Sequence, residues 1–303
     1  TVLRLAPMFV VGLVMAATTV WLERSHVGAA GQEFSLSVLE RVLVAGRVLW
    51  FYPGTLLWPH NPTFIYPRWT IDTRVWWQDL FPAAAVSAMA ALWFARQRIG
   101  RGPLVASLCY AGALTPALGF INVYPMRYSF VADHFAYLPI VALMVLVSAA
   151  GARLVDRVAD RSRRAVAVAV AAPILLALGI ATAVHAGAFR DPRTLWMDTL
   201  AKNPESWMAH NNLGLLFKDE DGNAEGAIAH FVEALRLNPA FPEAHVNLGV
   251  ALAAKGQLAA AVDHYRAALQ IQPRFPEAHH ALGIALQAQG REEEALDEFR
   301  EAV

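Results

Sequence analysis

The sequence predicts an all-α chain in two parts. A polytopic transmembrane helix bundle covers residues 1–188, and an α-solenoid of helical repeats covers 206–303, with a linker and capping half-repeat helix at 189–205 between them. Apolar runs of near membrane-spanning length recur through the first part. A pattern of small, large and turn residues recurs every 34 or 35 positions in the second. Charge divides along the same line. Residues 1–190 carry 16 Arg, no Lys and 8 acidic side chains, a balance of +8, while 191–303 carry 9 basic and 17 acidic side chains, a balance of −8.

Hydrophobic residues make up 56% of the 303, charged residues only 17%, and mean hydropathy is +0.37, too apolar for an ordinary soluble domain. Net charge is zero, which gives no reason to expect a nucleic-acid partner. A lone cysteine, Cys109, excludes a disulfide framework within the chain.

The apolar runs lie at 8–22, 38–58, 81–94, 104–123, 137–150 and 165–188. A bilayer core about 30 Å thick needs roughly 20 apolar residues as helix. Six such runs are too many for the buried helices of one soluble core of this length. The second run carries Glu40, Arg41 and Arg47, which should face protein, water or headgroups because they are costly against lipid. Whether it crosses, dips in or lies along the surface is open, and with it the side of 23–35. Arg96, Arg98 and Arg101 follow the third run, and Arg153, Arg157, Arg161, Arg163 and Arg164 follow the fifth. Short basic loops stay cytoplasmic, so 59–80, 122–136 and everything after 188 are expected on the opposite side. Trp58, Tyr66, Trp69, Trp76, Trp77, Tyr124 and Tyr128 fit an aromatic belt at that interface. No acidic residue sits centrally in the clean runs, which argues against a transporter. The chain starts at Thr1 with no signal-peptide layout and stops at Val303 inside a repeat, so an internal piece of a longer protein is expected.

In the second part, His210-Asn211-Asn212-Leu213-Gly214, His245-Val246-Asn247-Leu248-Gly249 and His279-His280-Ala281-Leu282-Gly283 align. Gly222, Gly256 and Gly290 follow in register, then Ala227, Ala261 and Ala295, then Phe231, Tyr265 and Phe299, then Ala234, Ala268 and Ala302. Pro239 and Pro273 close the first two units. This period and spacing resemble the tetratricopeptide (TPR) repeat. The resemblance implies helix hairpins in which Gly214 and Gly249 allow close approach, Ala227 and Ala234 keep the contact thin, and Phe231 fills the gap to the next unit. Each hairpin needs a neighbour to cover its open face, so the units stack. Asp191 followed by Pro192 is a good helix start and opens a half-repeat cap.

Asn212 and Asn247 share one repeat position and are candidates for holding an extended peptide, although Asn is also a framework residue there. His210, His245 and His279 share another position, and His230 and His264 a third. Zinc needs its ligands at about 2 Å, which repeat spacing does not supply for three of them, so packing is expected rather than metal binding.

Two further segments carry information. One runs from Phe51 through Leu57-Trp58-Pro59-His60 to Tyr66-Pro67-Arg68-Trp69, and the other runs through Met126-Arg127-Tyr128 to Ala132-Asp133-His134 and Tyr137-Leu138-Pro139. Together with the repeats that follow, they resemble the bacterial relatives of the transmembrane and tetratricopeptide-repeat (TMTC-type) proteins among the polytopic GT-C glycosyltransferases. His134 stands where many relatives have Arg. The resemblance implies transfer of a sugar from a polyprenyl-phosphate donor to a protein hydroxyl, with the repeats holding the acceptor polypeptide. It further implies an integral protein of the bacterial inner membrane, in contact with lipid, with its repeats extracytoplasmic. In that family the catalytic carboxylate lies in the first outer loop, which this sequence lacks, so the catalytic residue is unknown. A donor or lipid-phosphate site is expected at Asp133, His134, Arg127, Tyr137 and Arg68, since cations grip phosphate and a phenol can donate to it. The alternatives are an Asp133–Arg127 ion pair pinning the loop, interfacial anchoring for Tyr137, and plain packing for His134. The rival function is a non-enzymatic, membrane-anchored TPR adaptor for envelope complex assembly, because fold alone does not prove function.

Overall fold

The computed structural model describes residues 35–303 apart from positions 60, 121, 123, 157–159 and 221, together with residues 14, 17, 18, 21 and 22. The expectations for 8–22 and for the 23–35 loop fall almost wholly outside the described residues. The described chain is all helix and turn, and divides into two units, Thr1–His185 and Ala186–Val303.

In the first unit, α1 (Val38–Leu57) starts on a capping box. The Ser37 hydroxyl accepts from the Glu40 amide at 3.3 Å, and the Glu40 carboxylate accepts from the Ser37 amide at 2.7 Å. Glu40 is thereby accounted for as a helix-start residue. Arg41 donates to the carbonyls of Leu36 and Gly119 and to the Asn122 side chain. The Arg47 guanidinium lies over the Trp69 ring at 4.3 Å, a cation–π contact. All three charges of α1 face protein groups.

The next helix, α2 (Leu80–Ile99), crosses α1 closely. A Cβ on Gly46 would sit 2.5 Å from the backbone nitrogen of Pro82. The chain then forms α3 (Gly102–Ala113), α4 (Pro139–Val155) and α5 (Asp160–Gly187). α3 packs on α2 and α4. Among the described residues two helical stretches, Trp76–Ile99 and Ala165–Gly187, are long and apolar enough to cross a membrane. The expected span at 104–123 is not one helix. α3 is 12 residues long, about 18 Å at 1.5 Å per residue, and a short 3-10 turn, Thr115–Ala117, follows it. Pro116 lacks an amide and its ring blocks the preceding turn, and Gly119, at φ +86°, turns the chain away. α4 is likewise shorter than a bilayer needs. Val44, Val48, Tyr52, Tyr110, Leu114 and Val131 form the buried centre of this unit.

In the second unit, α6 (Pro192–Lys202) starts at Asp191, whose carboxylate accepts from the Thr194 amide at 2.8 Å. Three hairpins follow: α7 (Trp207–Asp219) with α8 (Ala224–Leu237), α9 (Pro242–Ala254) with α10 (Leu258–Ile271), and α11 (Pro276–Ala288) with α12 (Glu292–Glu301). Each helix packs on its neighbours in sequence, α6 on α7 included, which is the stacking of a solenoid. Gly222, Gly256 and Gly290 all have positive φ, between 61° and 78°, as the left-handed turn between paired helices requires.

The glycine at mid-helix is a steric requirement. A Cβ on Gly214, Gly249 or Gly283 would lie 2.5–2.6 Å from the ring of Phe231, Tyr265 or Phe299. Each aromatic therefore covers the glycine of its own hairpin, where the sequence had suggested a bridge to the next unit. Phe231 and Tyr265 are buried, and Ala227, Ala234, Ala261 and Ala268 are fully buried beside them.

Candidate functional site

In the first unit the structure joins the two singled-out segments. The Tyr66 hydroxyl donates to the Asp133 carboxylate at 2.8 Å. Burial pushes the Tyr66 phenol up, and the adjacent Asp133 charge adds to that, so the phenol stays a donor. The Tyr52 hydroxyl donates to the Ala132 carbonyl at 3.0 Å and lies 3.2 Å from the Ala132 amide, fixing the residue before Asp133. The Arg68 guanidinium lies 5.0 Å from the Phe130 ring, and Trp69 and Phe130 have ring centres 6.3 Å apart. Phe51 makes edge contacts with Tyr52, Tyr66 and Trp69. An aromatic wedge thus clamps the loop that carries Asp133.

The individual candidates differ in position. Asp133 opens the 3-10 turn Asp133–Ala136 and is half-buried, with His185 Nε2 3.9 Å away. His134 is exposed and sits edge-on to Phe135. Arg127 ends the 3-10 turn Tyr124–Arg127 and is half-buried. Arg68 is exposed, and so is Tyr137, at 72%. Asp133 and Arg68 are brought to one loop cluster, while Tyr137 points into the surroundings of the chain. Sequence reasoning placed Tyr66 in the aromatic belt, and the structure makes it the partner of Asp133. His185 carried no sequence signal, being distant in the chain and outside any motif.

In the second unit, Asn212 donates to the Met208 carbonyl of its own helix at 2.8 Å. Asn247 donates to the Asn211 side chain at 2.9 Å, linking α9 to α7. Asn211 is buried and was not singled out from the sequence. One donor of each candidate amide is thus engaged within the array, in the framework role. The recurring histidines pair inside hairpins rather than along a row, as His210 with His230 and His245 with His264. Among the described residues no group of three or more His, Cys, Asp or Glu is placed to hold a metal ion.

The TPR repeat family model matches residues 220–256 and 251–290, so the array is built of TPR repeats. A probable biofilm formation methyltransferase, WspC, of Pseudomonas putida is 42% identical over 84 residues, covering 28% of this chain. The chain spans only 20% of that relative's length. Among solved structures, MamA is 24% identical over 37% of this chain and 66% of its own, with a TM-score of 0.34. The second TPR of Spaghetti (RPAP3), bound to an HSP90 peptide, is 18% identical over 34% of this chain and 94% of its own, with a TM-score of 0.32.

Proposed function

We propose that this chain is a membrane-anchored TPR adaptor whose repeats hold a polypeptide partner. The match of the TPR family to the array carries the reading, because helical-hairpin stacks present a long side-chain-lined surface suited to protein partners. Anchoring rests on Trp76–Ile99 and Ala165–Gly187, whose apolar side chains, including Phe94, Leu175 and Val184, are exposed. A helix of 23 residues reaches about 35 Å, enough to cross the hydrocarbon core. Arg96 and Arg98 in the last turn of α2, and Arg101 just after it, would then lie on the cytoplasmic side of a bacterial inner membrane.

Selection of random phage-displayed peptides against the whole chain in lipid nanodiscs tests the adaptor. Selected peptides should compete with one another and lose affinity when Asn212 and Asn247 are both replaced by Ala. Peptides that bind the double variant unchanged would remove those amides from the binding surface. Retention in the membrane pellet after alkaline carbonate extraction tests the anchor, and release into the supernatant would refute it.

A second reading is favoured by the Tyr66–Asp133 bond, which draws both family-like segments into one loop cluster. In that reading Asp133, His134, Arg127, Arg68 and Tyr137 contribute to a site for a polyprenyl-phosphate-linked sugar, and the repeats hold the protein acceptor. Asp133→Asn keeps the volume and a hydrogen-bond acceptor for Tyr66. It should cut sugar transfer by the full-length protein while leaving thermal stability near wild type. Loss of fold in step with activity would assign Asp133 to loop structure.

A further inference from the structure

A histidine pair bridges the two helices of each of the first two hairpins. His210 Nδ1 lies 3.1 Å from His230 Nδ1, and His245 Nδ1 lies 3.1 Å from His264 Nδ1. In each pair the first ring sets its Nε2 on the carbonyl of the proline before the hairpin, Pro204 or Pro239, at 3.2 Å. A carbonyl only accepts, so that Nε2 carries the hydrogen. The Nδ1 of neutral His210 or His245 is then a bare acceptor, and His230 or His264 donates to it. One added proton is accommodated on the far nitrogen of the second ring. A second is not, because both Nδ1 atoms would carry hydrogens aimed at each other between two cations.

The third hairpin is wired differently. Glu298 stands where His230 and His264 stand, one residue before the aromatic. His279 Nδ1 is 2.7 Å from the Glu298 carboxylate, and its Nε2 is 3.0 Å from the Pro273 carbonyl. Both ring nitrogens face acceptors, an arrangement only the imidazolium fully satisfies.

We propose that the array responds to protons with opposite sign along its length: acid loosens the α7–α8 and α9–α10 hairpins and tightens α11–α12. The neighbouring groups fit this division. Around the first pair, Phe217 of α7 stacks on His230, and Glu233 of α8, which feels the charge of His210, is held by Arg236 at 2.7 Å. Around the second, Asp263 on α10 is the nearby acid and only partly offsets the effect of burial. Around the third, Glu298 and Glu301 both lie on α12.

Burial and the charge of His210 lower the His230 pKa, and burial lowers that of His245 against the Pro239 carbonyl. Burial and His245 lower that of His264. For His279 burial again disfavours the charge, but the Glu298 bond, the Pro273 carbonyl and the charges of Glu298 and Glu301 outweigh it, and its pKa is raised. A lowered histidine contributes stability above its ordinary value of 6.5 that is lost as pH falls below it. A raised one contributes stability below 6.5 that is lost as pH climbs through the folded value. One wholly blocked proton shifts an opening equilibrium by about tenfold one unit below 6.5.

Hydrogen exchange of the whole chain in detergent, at about pH 7.5 and about pH 5.5 and corrected for intrinsic chemistry, reads each hairpin separately. Peptides from α7–α10 should open several-fold more at the lower pH, and those from α11–α12 should not. His264→Glu copies the third hairpin into the second and should abolish the acid loss in α9–α10 while α7–α8 keeps it. His264→Gln, which retains a donor for His245 but cannot titrate, should abolish it as well and guards against misfolding of the first variant. Equal protection of α7–α10 at both pH values, or an undiminished acid loss in both variants, would overturn the proposal.

Discussion

Gly249→Ala would set a methyl group 2.5 Å from Tyr265 Cε1 and 2.9 Å from both Cδ1 and Cζ. Ordinary carbon contacts begin near 3.5 Å. Tyr265 is only 2% exposed and is packed among Ala261, Ala268 and Leu282, so the ring has nowhere to go. Forced overpacking costs about 1–3 kcal/mol. Replacing a mid-helix glycine by alanine returns about 1 kcal/mol through helix propensity. The net expectation is a destabilisation of up to about 2 kcal/mol, confined to the second hairpin and its neighbours because a solenoid is coupled locally. Urea titration of the whole chain in detergent, with hydrogen exchange to locate the loss, measures it. Tyr265→Leu should rescue part of the alanine defect in a double-mutant cycle, since it removes the ring the methyl strikes. A stabilising Gly249→Ala would refute the account of close helix approach and return the glycine to a mere composition feature.

Gly46→Ala should damage the first unit more severely, because the added methyl meets the Pro82 backbone at 2.5 Å rather than side-chain atoms alone, and loss of the folded species in size-exclusion chromatography checks it. Asp191→Ala removes the cap of α6 and should cost about 1 kcal/mol, read as faster exchange at the start of that helix. Tyr66→Phe removes one hydrogen bond to a carboxylate, and since Asp133 is partly exposed the loss should be near the lower end of about 1.5–3 kcal/mol. A thermal melt of the Phe variant indistinguishable from wild type would show that the loop holds Asp133 without it.

The repeat array was open to reading because its constraints are local and repeated. A glycine under a ring, a glycine at positive φ and a buried alanine recur at fixed spacing, and each has one physical cause. The histidine pairing was less accessible. His210 and His230 lie 20 residues apart, and only the packing of two helices shows that they face one another. In the first unit, apolar composition marked the helical stretches but not their ends. The 104–123 run looked continuous because Pro116 and Gly119 are compatible with an apolar count, yet one interrupts the backbone ladder and the other turns it. The link from Tyr66 to Asp133 joins residues 67 positions apart, with nothing local in either segment to announce it.

Every hairpin brings both halves of its own latch, with Gly214 under Phe231, Gly249 under Tyr265 and Gly283 under Phe299. A duplicated or excised copy of some 34 residues would therefore arrive or depart with its fastening intact. Chain length in such a protein is free to drift in whole steps, and the reach of its binding surface can be lengthened without redesigning a single contact inside a step.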